Sequence, residues 1–311
     1  MLAHEYRSSK ADGARLKAVI INGDDFGFSP EVNAGIVRAH REGVLNSASL
    51  MVASVARDAA ARAALENPAL DVGLHLVVCQ GYSVLAPEKL AGVVDAAGRF
   101  VENPVLGGLR YFFNRSIRDR LRDECRAQIE LHLKLIGYLN HIDGHLNFHV
   151  HPVLADITIE LAAEYRVPCL RLPREPVFTT LAMARDNAAR KLAESVIFRA
   201  LSARAYRRME ARGLKSSDWL FGLHQSGNLS EPYLMGVIDR LREGVTEIYF
   251  HPAADLGGTP PPAAAQLEVE ILTGANLRRR LDERGVRLTT FAELARGSGA
   301  RELRASIAPP G

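Results

Sequence analysis

Apolar residues fall in short runs that alternate with longer stretches of helical spacing along most of the chain. Residues 17–22 (KAVIIN) predict a buried strand. A helix follows over 30–43, with Ser29 as N-cap and Pro30 at the first helical position, where its missing N–H costs nothing. Further strands are predicted at 46–52, 71–78, 141–143, 169–172, 219–223 and 247–250, with a short last one at 286–289. Helical spacing fills 55–66, 117–139, 152–166, 230–242 and 264–284, and a final helix covers 291–296. Strand–helix alternation repeated in this way predicts a parallel sheet, doubly wound or closed. The number of units and the chain length favour an α/β barrel of about seven parallel strands, TIM-barrel-like, over residues 17–296. Both architectures place working groups at the carboxyl ends of strands.

Two insertions interrupt the pattern. Residues 80–116 hold Gly, Pro and aromatics without a clear period, as expected of a lid over a pocket. Residues 176–215 look helical and basic, with nine Lys/Arg against three Asp/Glu from 181 to 215. There Arg185, Arg190, Lys191, Arg199, Arg204, Arg207, Arg208, Arg212 and Lys215 offer charge for anionic headgroups. Leu181, Val196, Ile197, Phe198, Leu201 and Met209 offer an apolar side for a lipid or for the barrel. An ordinary amphipathic helix with its apolar side in the core explains the same pattern.

Composition narrows the classes. A net charge of +3 gives no electrostatic reason for a nucleic-acid partner. Three widely spaced cysteines, Cys79, Cys125 and Cys169, form neither a disulfide framework nor a thiolate metal motif, and fit a reducing compartment. No run approaches the roughly 20 apolar residues of a spanning helix, and the N-terminus lacks the apolar core of a signal peptide. The expectation is a soluble cytoplasmic protein with flexible ends at 1–16 and 297–311. Peripheral contact with the inner membrane surface and a homodimer remain options.

Four clusters at predicted strand ends carry chemistry. Asp24 and Asp25 sit side by side in NGDDFG after the first strand; a cation offsets the repulsion of such a pair, and a solvated turn is the bland alternative. His75 stands in GLHL, where a hydrogen-bonded core histidine is the commoner outcome. The segment 141–151, HIDGHLNFHVH, holds four of the ten histidines, with Asp143 and Asn147 among them. In an extended chain every odd position there shares one face. His251 ends the run YFH before Pro252. One Asp and two His from such sites form an oxygen–nitrogen set suited to Zn²⁺, Mn²⁺, Co²⁺ or Ni²⁺, with positions open for water and substrate. A remaining carboxylate and a remaining histidine then supply a base and an acid, the parts of metal-assisted hydrolysis.

The run VIINGDDFGFSPEVNAGIVRAHREGVLNSASLMV, followed in order by GLHL, HIDGH and YFHPA, resembles the YdjC-like carbohydrate deacetylases, a family that includes the chitooligosaccharide deacetylases. The resemblance covers residues 17–295. GLHLVVCQGYSVLAP together with NGDDFGFSPEVN looks most like the branch associated with hopanoid biosynthesis. The resemblance implies an irregular (β/α) barrel and hydrolytic removal of acetyl from an N-acetylated amino sugar. In the hopanoid branch that sugar is an N-acetylglucosaminyl group on a hopanoid lipid. It implies one divalent metal ion, Zn²⁺ or Mg²⁺ before Mn²⁺, Co²⁺ or Ni²⁺, held by Asp25, His75 and His145. Asp24 is then the general base and His251 the general acid. Asp143 would orient a ligand histidine, and Arg171 would bind a sugar hydroxyl or keep Asp24 charged, a surface ion pair being its bland role. Asn147 and His149 would support the site or touch substrate. Oligosaccharide-active members often carry histidine where Leu146 and Asn147 stand, which speaks against a chitooligosaccharide substrate. A phosphoesterase with two metals and a non-catalytic sugar- or lipid-binding barrel are the competing classes.

Overall fold

The computed structural model describes residues 17–297. The expected flexible ends fall outside this range, Gly297 apart. The strands are β1 (Lys17–Phe26), β2 (Ser47–Leu50), β3 (Asp71–Leu76), β4 (His141–Gly144), β5 (Cys169–Leu170), β6 (Trp219–Phe221), β7 (Gly244–Phe250) and β8 (Arg287–Leu288). The helices are α1 (Pro30–Glu42), α2 (Arg57–Glu66), α3 (Pro104–Phe113), α4 (Arg118–Ile136), α5 (Pro152–Glu164), α6 (Val177–Met183), α7 (Ala188–Glu210), α8 (Glu231–Asp239), α9 (Ala263–Thr273), α10 (Ala275–Glu283) and α11 (Phe291–Arg296). Seven strands pair in the order β5-β4-β3-β2-β1-β7-β6, all parallel, and β8 joins the amino-terminal half of β1. β5 and β6 do not pair directly. Lys215, just ahead of β6, lies along β5 instead, its carbonyl accepting from Leu170 N–H (2.9 Å) and its N–H donating to the Pro168 carbonyl (2.8 Å). The result is the expected irregular (β/α) barrel.

Alternation along β1 explains how the barrel is filled. Val19 and Ile21 belong to the large apolar core shared with the helices, while Ala18 and Ile20 pack with Cys169, Val245 and Phe291 as a separate small plug. Asn22 and Asp24 continue the plug-facing parity toward the carboxyl end. The barrel interior therefore changes from apolar to polar along its axis. α1 starts as expected, with Ser29 Oγ accepting from Val32 N–H (3.3 Å) and Pro30 in the first turn.

Several expectations need correction. The predicted helix over 264–284 is two helices broken at Gly274. The 80–116 insertion, which shows no clear period in the sequence, contains the helix α3 and is pinned to the rest of the fold. Buried Glu124 of α4 accepts from Val84 N–H (2.9 Å) and Leu85 N–H (3.0 Å), and Tyr111 of α3 donates to the Val78 carbonyl (2.7 Å). The 176–215 insertion is helical, and much of it packs as an ordinary amphipathic element. Met209 is buried and Phe198 and Leu201 lie against the core. Arg204 and Arg208 pair with Asp156, and the buried Lys191 pairs with Asp186. The three cysteines are free and buried. No helix among the described residues is long and apolar enough to cross a membrane.

Candidate metal centre and active site

Asp24 and Asp25 are neighbours, so a regular strand would send them to opposite faces. The β1–β2 register shifts between Gly23 and Phe26, and Asp25 takes a left-handed backbone (φ 62°). This bulge turns both carboxylates toward the carboxyl end of the barrel. Gly27, also left-handed (φ 94°), makes the exit turn, and its N–H is held by Asn33 Oδ1 at 2.7 Å. A side chain at Asp25 carries a steric cost there, the kind of strain that concentrates at working sites.

The two carboxylates have separate surroundings. Asp25 Oδ1 lies 3.1 Å from His75 Nε2 and 3.0 Å from His145 Nδ1. Burial alone would raise its pKa, but the two histidines outweigh that and hold it well below the usual carboxylate range. The His75 and His145 rings meet edge to face with centroids 5.6 Å apart. His75 Nδ1 faces Asp143 Oδ1 at 2.8 Å, which leaves Nε2 for the Asp25 side. Asp24 is 3% exposed and is clamped in a fork by Arg171, with Nη1 to Oδ2 at 2.6 Å and Nη2 to Oδ1 at 2.7 Å. Its Oδ1 also accepts from Asn22 at 2.8 Å.

Arg171 is 1% exposed, so the surface ion pair is wrong for it. Besides Asp24 it reaches Asp143 Oδ2 (2.8 Å) and Glu247 Oε1 (2.6 Å), and its guanidinium lies over the Tyr249 ring at 4.6 Å. From just beyond β5 it thus touches β1, β4 and β7. Burial raises the Asp143 pKa, but Arg171 and His75 together hold it well below the ordinary value. Burial pushes Glu247 up to about 7, with Arg171 restraining the rise.

The histidine-rich segment is not one extended face. His141, Asp143 and His145 follow the strand alternation, but after Gly144 the chain turns into a short helical stretch, His145–Val150, with Leu146 and Asn147 left-handed (φ 54° and 56°). His141 is buried, stacked on Phe291 at 3.9 Å, with Nε2 3.2 Å from Ser49 Oγ. His149 is buried and donates to the Arg171 carbonyl (3.0 Å), while burial lowers its pKa to about 4. His151 donates to the Gly108 carbonyl (3.0 Å), away from the cluster. Asn147 is buried beside Tyr249. His251 directly follows β7, close enough for Asp25 to feel its charge. Its backbone N–H donates to Glu268 Oε2 at 2.5 Å, and burial pushes Glu268 up to about 7.

Four site residues were missed in the sequence. Ser49 Oγ donates to Asp143 Oδ2 (2.6 Å) and accepts from Asn22 (2.8 Å). Glu247, Tyr249 and Glu268 complete the surround. A lone acid in the apolar run around Glu247 was the available signal; nothing local marks Ser49.

The donor set fits one divalent ion. One carboxylate oxygen and two imidazole nitrogens from Asp25, His75 and His145 lie within 4.8 Å of one another. The electrostatics point the same way. Burial would lower the His75 pKa, yet Asp143 and Asp25 drive it up to about 10, so the carboxylates call for a positive charge at that place.

A model of the family described as YdjC-like protein matches residues 18–283. A carbohydrate deacetylase from Brevibacillus brevis (strain 47) is 32% identical over 282 residues, spanning 89% of this chain and 99% of its own. One from Geobacillus stearothermophilus is 31% identical over 280 residues, spanning 88% and 96%. A solved protein from Enterococcus faecalis V583, named for a proposed part in cellobiose-phosphate cleavage, superimposes with a TM-score of 0.70 at 27% identity, over 90% of this chain and 99% of that one. On the family match and the full-length relatives together, the chain belongs to the YdjC-like protein family.

Proposed function

We propose that the protein is a metal-dependent deacetylase that hydrolyses the acetamide of an N-acetylated amino sugar. The observation that carries this is the convergence of Asp25, His75 and His145 beside a separately clamped second carboxylate, Asp24. Full-length relatives named carbohydrate deacetylases support the reaction class. Asp25, His75 Nε2 and His145 Nδ1 would hold the ion, and the two imidazoles favour Zn²⁺ over Mg²⁺. The ion supplies a Lewis acid for the acetyl carbonyl and makes water a competent nucleophile near neutral pH.

The chain's own groups do the rest. Asp24 is the base. Its Oδ1 takes two donors, whereas Oδ2 takes one from Arg171 and keeps a lone pair for the water proton. The Arg171 fork fixes the carboxylate plane, so the proton is taken without reorientation. Asp143 holds the His75 ring through Nδ1. His251 protonates the departing amine, and Glu268 fixes the backbone from which it projects.

A lipid-borne acetylated glucosamine, of which a glycosylated hopanoid is the specific case, is the substrate we propose. The GLHLVVCQGYSVLAP signature and the absence of histidine at Leu146 and Asn147 support it. Mass spectrometry of N-acetyl amino sugars incubated with metal-loaded protein tests the reaction. Loss of one acetyl is expected, first from a lipid-linked glucosamine and then, more weakly, from soluble chitooligosaccharides. Asp24→Asn should cut turnover by about 10²–10⁴-fold while metal content stays near one ion per chain. Asp25→Asn should lose both. Phosphate release without deacetylation would replace the proposal by a phosphoesterase.

A further inference from the structure

We infer that α3 is a membrane seat, which lays its outward face into the interface of an anionic lipid bilayer. A surface helix ordinarily buries its apolar stripe and shows water its polar side. α3 does the reverse. Its buried residues are Gly107 and Tyr111, whereas Val105, Leu106, Leu109, Phe112 and Phe113 are 47% to 74% exposed. These five are spaced i, i+1, i+4, i+7, i+8, so they form one continuous stripe.

The helix is not loosely attached. Asn103 caps it, its side chain accepting from Val105 and Leu106 N–H. Tyr111 donates to the Val78 carbonyl, and His151 donates to the Gly108 carbonyl. Gly107 lets it come close, since a Cβ there would lie 2.7 Å from Val101 Cγ1. A rigid support therefore holds an apolar face outward.

Charge selects the occupant. Residues 104–118 contain Arg110, Arg115 and Arg118 and no Asp or Glu, and Arg110 and Arg115 are exposed. An apolar stripe whose neighbouring charges are mostly cationic, Glu102 ahead of the cap being an exposed acid, matches acyl chains beneath anionic headgroups. A second copy of the chain is a poorer match, because a two-fold contact sets the same mostly cationic face against itself. At 10 residues α3 is about 15 Å long, so it lies in the interface rather than across it. Its inner side abuts Phe148 and His151, on the segment that carries His145. The seat stands apart from the deacetylase reading; only the delivery of a lipid-borne sugar to His145 rests on it.

Flotation of the full chain with phosphatidylcholine vesicles, with and without phosphatidylglycerol, tests the seat without any substrate. Binding should require the anionic lipid, weaken with salt, and fall about tenfold or more in Phe112→Ser/Phe113→Ser. Leu65→Ser, at an exposed apolar site on α2, should bind as wild type. Leu109→Ser replaces the phenylalanine pair if the double variant alters the melting curve. No flotation of the wild type, or equal flotation of the α3 variants, overturns the inference. So does a dimer in sedimentation that those substitutions dissociate without changing flotation.

Discussion

Arg171 sits 1% exposed among Asp24, Asp143 and Glu247, and each carboxylate has its own strand. A buried pair adds little to stability over an apolar replacement of both partners, but removing one partner strands the other charge. Arg171→Met leaves three carboxylates without their shared cation. We expect a loss of about 3–5 kcal/mol in denaturant unfolding, and a fall in turnover even where the protein still folds, because Asp24 loses its fork. Unchanged unfolding would mean that those carboxylates are protonated and need no partner. At this scale much was legible. Asp24, Asp25, His75, His145 and His251 stood out because ionisable groups at the ends of apolar runs are costly there. Ser49 did not, since a serine in a strand costs little and only its distant partners give it a role.

The elements show why spacing was an incomplete guide. Alternation places His141, Asp143 and His145 on one face, and β4 keeps that as far as Gly144. Beyond it the left-handed Leu146 and Asn147 break the period, so His149 and His151 leave the site for separate supports. Likewise the bulge in β1 sets two adjacent carboxylates on one side. Both departures are backbone choices with no strong residue signal, since neither Asp25 nor Leu146 is glycine. Close approach between elements is just as silent. Gly73 of β3 lies under the His141 ring, and a Cβ there would run into the imidazole. Gly73→Ala should lower stability by about 1–3 kcal/mol through overpacking and disturb the His141–Phe291 stack that closes the plug. A thermal melt of the variant at wild-type temperature would show that the ring can shift without cost.

For the whole molecule the sum of buried charge sets a pH response. Glu268 is 1% exposed; burial pushes its carboxyl up to about 7 from 4.5 in a free chain, and the His251 charge reduces the rise. A carboxyl whose folded pKa is raised binds its proton more tightly when folded. Its stabilising effect is complete below 4.5 and is lost as pH rises through about 7. Its own contribution to the stability of metal-free protein should therefore fall between pH 5 and 8. Glu268→Gln, which still accepts from His251 N–H, should flatten that fall by on the order of 1–3 kcal/mol. Equal slopes in denaturant titrations across this window would show that Glu268 is already ionised in the fold.

Periodicity and terminal chemistry alone determined most of the order of elements, α3 and the break at Gly274 apart, the parallel class and the clusters rich in ligands, because burial forces a hydrophobic period and helix ends demand particular caps. Tertiary structure decided which groups of those clusters meet. The sense of the bulge, the turn after Gly144 and the reach of Arg171 depend on residues far apart in the chain, whose mutual distances no local pattern records. It also decided that α3 exists and turns its apolar side outward: residues 80–116 carry no clear period, and only the packing of Gly107 and Tyr111 says which side remains uncovered.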